Sequence, residues 1–202
     1  MPDFYRSDYG QRIAGVTGDT AVWWCDATRK VPRVRPVPEA AGHAVRLEAA
    51  GNDFEAAQIV VRPTKNLCGL TAAASELRGP DGAVIAADRV RVLYVYYHFV
   101  QQPTDAAGVR DWWPDALPPL DKPRDVAAGQ NQPLWVLVHV PSGTRPGDYR
   151  GQVALQAGDG RVTGYEAPLR HKNGHAVWVM TNAQFVRDDQ GTVVGVEGTT
   201  RD

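Results

Sequence analysis

Few side chains in this sequence have the types and spacing to do chemistry together. Asp111 with Asp115, and Asp188 with Asp189, are carboxylate pairs of the sort that hydrolyses a glycosidic bond. That reaction needs two carboxyl groups held across a sugar, one with a raised pKa. Spacing along a Pro-rich loop does not define such a pair, and capping of loop backbone is the better default for these residues. The five histidines, His43, His98, His139, His171 and His175, form no metal-ligand spacing. His171 and His175 flank a Lys-Asn-Gly turn and could approach across a hairpin, but no third ligand lies near them in sequence. The only serines are Ser7, Ser75 and Ser142, all beside turn or loop residues, which argues against a serine–histidine triad. Phosphate-binding, dinucleotide-binding, zinc-protease and nucleophile-elbow motifs are all absent.

The tryptophan pairs are the stronger signal. Trp is flat, rigid and amphipathic, suited both to core packing and to stacking on a flat ligand. In a strand, Trp23 and Trp24 face opposite ways, so one of them belongs to the core. Trp112 and Trp113 fall in a long irregular stretch, where packing at a core or domain interface and stacking on a sugar both remain open. Trp112, Trp113 and Asp115 are therefore the candidate ligand-binding residues. No residue is a candidate catalyst or metal ligand, and no cofactor is expected.

The elements that must position these residues read as strands. Leu134–Val140 is an apolar run bounded by prolines, which suits a strand buried on both faces. PSGTRPGD follows as a loop, and Tyr149 to Leu155 then alternates apolar with polar, as a half-buried strand does. Thr20–Trp24, His43–Ala49, Phe54–Arg62 and Leu70–Leu77 are further strands, and Val90–Val100 a long central one. Val31–Gly42, with three prolines, must be extended or looped. Glu55 and Gln58 sit in an otherwise apolar strand, either at its exposed start or satisfying backbone groups between sheets. Gly79-Pro80-Asp81-Gly82 marks a turn. Gln101–Asn131 shows no periodic element; so long a loop is usually functional or packs against another domain. Arg161–Arg170, His175–Arg187 and Thr192–Thr200 read as strands, with Asn173-Gly174 a hairpin turn. The expected fold is all-β: an antiparallel β-sandwich with an additional C-terminal hairpin or meander.

Composition fits this picture. The 202 residues are 43% hydrophobic and 22% charged, ordinary for a globular chain, with 20 glycines and 15 prolines for many turns. A net charge of −1 gives no electrostatic case for nucleic acid or an anionic membrane. No apolar run approaches a membrane span, and the polar start is no signal peptide; the compartment stays open. Cys25 and Cys68 read as two small buried residues, a disulfide between them being neither required nor excluded.

Two stretches resemble known families. VWWCDATRKVPR, GNDFEAAQIVVRP, WWPDALPPL, NQPLWVLVHVP and PGDYRGQVAL, in that order over about residues 20–157, resemble the N-terminal domain of glycoside hydrolase family 123 proteins. The resemblance implies a β-sandwich preceding a catalytic (β/α)-barrel that acts on N-acetylgalactosamine-containing glycans. There the acid/base carboxylates belong to the barrel and the substrate's acetamido group is the nucleophile. This chain has no alternating strand–helix pattern for a barrel, so the resemblance implies an accessory domain that is not an enzyme by itself. Over about residues 165–202, the basic-Asn-Gly hairpin, the VWV strand, the RDDQG turn and the closing GTTRD resemble the C-terminal half of a PAS sensor domain.

The expected organisation is thus an arm (1–19), a sandwich (20–160) and a partial PAS-like segment (161–202). A natural fusion, a truncation product and a hybrid all fit this arrangement. The expected function is an accessory domain supporting or flanking an N-acetylgalactosaminide-processing barrel, with glycan as a possible partner; the alternative is a sensory module. The remaining partners expected are a barrel or output domain in a longer parent chain and, through exposed strand edges, a second copy in a dimer.

Overall fold

The structure is a computed structural model. It describes residues 8–16, 18–104 and 108–157 in full, and the backbone course of 162–170, 176–187 and 193–201. The strands in chain order are β1 (Gln11–Ile13), β2 (Thr20–Asp26), β3 (Ala41–Gly42), β4 (Asp53–Pro63), β5 (Leu67–Ala74), β6 (Leu77–Arg78), β7 (Val84–Ile85) and β8 (Val90–Tyr94). They continue with β9 (Tyr97–Val100), β10 (Asp111–Pro114), β11 (Arg124–Val126), β12 (Gln132–Val140) and β13 (Val153–Gln156). The last three are β14 (Val162–Arg170), β15 (Ala176–Arg187) and β16 (Val193–Arg201). The chain divides into two compact units, Met1–Gln156 and Ala157–Asp202.

In the first unit a six-stranded sheet runs in the order β3-β1-β2-β4-β12-β8, antiparallel except for the parallel β1–β3 pair. β4 and β12 lie at its centre and pair over nine residues, from Gln132↔Val61 to Val140↔Asp53. Alternation then assigns the faces. One carries Leu134, Val136 and Val138 of β12 with Ile59 and Val61 of β4, and packs on the sheet β11-β5-β13 through Leu70, Val126, Val153 and Leu155. This is the sandwich. The other face carries Trp23, Cys25 and Val60 and is covered by Tyr9, Val31 and Val37 from irregular segments. Trp23 is fully buried there while Trp24 is half-buried, as two successive strand residues must be.

Gln58 lies on this second face and is 2% exposed. Its amide donates to Asp26 O (3.2 Å) and Arg29 O (2.7 Å), so it does satisfy backbone groups, but those at the end of β2 and in the turn after it rather than between sheets. Pro133 stands inside β12 rather than ending it. Its carbonyl accepts from Val95 N–H, so its missing N–H faces the side where pairing with β8 has already stopped.

Other expectations need correction. His43–Ala49 forms no strand; Val45 packs against the core, but no neighbouring strand takes up the ladder. Val90–Val100 is neither single nor central: the chain bends at Val95–Tyr96, leaving β8 at the sheet edge and β9 in a separate ribbon with β10. The strand after PSGTRPGD starts only at Val153, because Gly151 passes so close to Ser75–Leu77 that a Cβ would stand 2.6 Å from Glu76 O. The 101–131 stretch holds two short strands, β10 and β11. Cys68 is exposed and Cys25 buried; both are free thiols.

In the second unit, β14-β15-β16 form a three-stranded antiparallel sheet, the expected meander. The proposed turns at Asn173-Gly174 and Asp188-Asp189, and the histidines His171 and His175, lie outside the described residues.

Candidate functional site

The long loop is fastened along the free edge of β8. Tyr94 N–H donates to Pro118 O (2.9 Å), Tyr96 N–H to Ala116 O (2.9 Å) and Asp115 N–H to Tyr96 O (3.1 Å). The loop therefore caps an edge that would otherwise offer unpaired backbone groups. β9 and β10 form a ribbon with Trp112 opposite Phe99 and Trp113 opposite His98. The alternation separates the two tryptophans. Trp113 is half-buried, its Nε1–H donating to Val109 O (2.9 Å), whereas Trp112 is 41% exposed.

Trp112 lines an open cleft of about 480 Å³, within the range of small-ligand sites. Tyr94, Tyr96, Arg33, Asp125 and Asn131 also line it. The Arg33 guanidinium lies over Trp112, 4.5 Å from the ring centroid, and 5.6 Å from that of Tyr97. Its Nη2 donates to Gln130 Oε1 (2.5 Å). The floor beneath Arg33 is fixed by Asn131, whose backbone N–H donates to Arg33 O (2.7 Å). The Asn131 amide donates to Pro32 O (2.9 Å) and Arg35 O (2.8 Å). Tyr97 adds a bond to Val31 O (2.8 Å). Burial pushes the Tyr97 hydroxyl well above its usual pKa, with Arg33 opposing, so it stays a protonated donor. Burial also raises Tyr94, opposed by Arg124 and Arg33.

Of the three predicted ligand-binding residues, only Trp112 lines the cleft. Trp113 supports the ribbon from behind. Asp115 is a surface residue 3.8 Å from Lys30 Nζ in an exposed ion pair. Arg33, Tyr94, Tyr96 and Asn131 went unnoticed in the sequence. They come from a Pro-rich segment, a strand bend and a strand entrance, and no local spacing joins them. Among the described residues no group of His, Cys, Asp and Glu could hold a metal ion. No described helix is long and apolar enough to cross a membrane.

The fold and cleft define a β-sandwich domain with an aromatic, polar-rimmed recess. The glycoside hydrolase 123 N-terminal domain profile matches residues 29–157, well over half the sequence. The chain belongs to that family. A solved structure similar to it is a family 123 glycoside hydrolase from Clostridium perfringens, described in a study of glycolipid glycan hydrolysis. The two are 15% identical with a TM-score of 0.49, over 55% of this chain and 19% of that one. The chain thus spans about a fifth of that protein's length. No curated protein matches the chain. Nothing in these comparisons supports a PAS-like segment or a signalling role for residues 165–202.

Proposed function

We propose that this chain is a non-catalytic accessory β-sandwich of a glycoside hydrolase that processes N-acetylgalactosaminides, and that it contacts glycan through the cleft at Trp112. Its place is to support or flank a catalytic barrel elsewhere in a longer parent protein. The observation that carries the reading is an exposed Trp112 on a recess lined by tyrosines and amides, in a chain of this family. A pyranose ring offers one C–H face for an aromatic and a rim of hydroxyls for amide and guanidinium groups.

The test is titration of the purified chain with N-acetylgalactosamine-containing oligosaccharides, followed by intrinsic Trp fluorescence and compared with Trp112→Ala. Saturable binding that weakens about tenfold or more in the variant is expected, the scale of one lost aromatic anchor. Binding unchanged by Trp112→Ala would remove the cleft from the reading. Hydrolysis of N-acetylgalactosaminides by the purified chain would refute the non-catalytic role.

A further inference from the structure

We infer that the cleft selects a carboxylate-bearing sugar, its carboxylate paired with Arg33 and its ring against Trp112. The inference rests on the glycan reading above and adds the charge of the ligand. Arg33 has five N–H donors. The protein engages its guanidinium through the Gln130 bond and the faces of Trp112 and Tyr97, and no carboxylate pairs with it among the described residues. Elsewhere among the described residues cations do pair with acids: Arg29 with Asp26, Lys65 with Asp19, Arg145 with Asp81.

A second guanidinium stands beside the cleft. Arg124 lies over Tyr94, 5.0 Å from the ring centroid; its Nε is buried with no hydrogen-bond partner. Among the described residues the only acidic one on the lining is Asp125, whose Oδ1 already accepts Gly69 N–H (2.8 Å). Asn131 is a lining residue as well; its Oδ1 is buried and without a hydrogen-bond partner, while its amide nitrogen is fully used. The cleft therefore presents one guanidinium with no acid partner and an aromatic face, with a second guanidinium stacked on Tyr94 beside it. A planar carboxylate fits the guanidinium fork.

The experiment removes charge from the ligand and leaves its shape. The chain is titrated with digalacturonate and its methyl ester, and with the methyl glycoside of N-acetylneuraminic acid and its methyl ester. For at least one pair the acid should bind at least about tenfold tighter at low salt, the low end for a charge-assisted hydrogen bond. The advantage should shrink as NaCl rises from about 20 to 300 mM. Arg33→Gln should lower the acid's affinity far more than its ester's, so that acid and ester then bind alike. Equal binding of acid and ester in both pairs by the unaltered chain would overturn the inference. If that equal binding is still lost in Trp112→Ala, the glycan reading stands without the acid preference. If no acid or ester binds, and neutral N-acetylgalactosamine oligosaccharides do not either, both fall.

Discussion

Replacing Gln58 by Met tests whether the centre of the large sheet is held by a polar bond or by packing alone. Met has similar length and no hydrogen-bonding amide, so the volume change at this 2%-exposed site costs less than about 1.5 kcal/mol. The loss falls on the carbonyls of Asp26 and Arg29. Asp26 O also takes a long 3.4 Å bond from Arg29 N–H, so its share is small. Arg29 O loses its 2.7 Å partner; a buried acceptor left unsatisfied costs about 1–3 kcal/mol, and this part-buried one falls at the low end. The sum is about 2 kcal/mol, a large fraction of the ~5–15 kcal/mol that holds a domain together. In urea, with a slope of about 1–3 kcal/mol per molar, the midpoint should fall by about 1–2 M. Gln58→Glu should cost more than Met at pH 7, because a buried carboxylate faces two carbonyls, and should recover as pH falls and the acid becomes a donor. A Met variant within about 0.5 kcal/mol of the parent, or a Glu variant insensitive to pH, would refute the reasoning.

Two further outcomes follow from the same core and its turns. Burial raises Tyr9 from 10.0 to about 12 and Cys25 from 9.0 to about 12. Both groups are neutral when protonated and hold their proton more tightly when folded. Their contribution is therefore complete below pH 9, and is lost as pH climbs toward about 12, at about 1.4 kcal/mol per pH unit for each group titrating. Urea midpoints at pH 8, 10 and 11 should fall in that order, and an unchanged midpoint at pH 11 would contradict the burial. Gly10 and Gly143 both have positive φ (84° and 75°), but a Cβ at Gly10 would stand 2.7 Å from Trp24 O while one at Gly143 would meet nothing within 4 Å. Thermal unfolding should show Gly143→Ala costing about 1–2 kcal/mol for the backbone alone, and Gly10→Ala clearly more.

The strands were legible where an apolar run marked them, as in Phe54–Arg62 and Leu134–Val140, although the second alternates: Leu134, Val136 and Val138 are buried while Trp135, Leu137 and His139 are half-buried. They were misread where burial and pairing part company. Val45 alternates because it touches the core, yet no strand lies beside it. Val90–Val100 is continuous in composition, but the bend at Val95–Tyr96 is set by Gln132, whose amide bonds Val95 O (3.0 Å) from 37 residues away. The cleft was legible only as Trp112. Arg33 and Asn131 are joined by a bond across almost a hundred residues, and a local period carries no trace of such a contact. Asp115 reads in sequence as a carboxylate spaced with Asp111 and a candidate ligand-binding residue, and its neighbour in space is an exposed lysine.

The central pairing of β4 with β12 has a consequence for how the chain comes to be folded. β2 can meet β4 soon after both exist, but the other edge of β4 waits for a partner that begins at Gln132. At ribosomal speeds of about 5–20 residues per second, that wait is on the order of several seconds. Closing so large a loop also places the domain among slow, high-contact-order folders. Throughout the interval FEAAQIVV presents a bare, weakly charged, β-prone edge, the sort of segment that pairs with its own kind. Chaperone capture of nascent chains should therefore concentrate on lengths between residues 63 and 140, and β4 is where this protein is most exposed to self-association before it is complete.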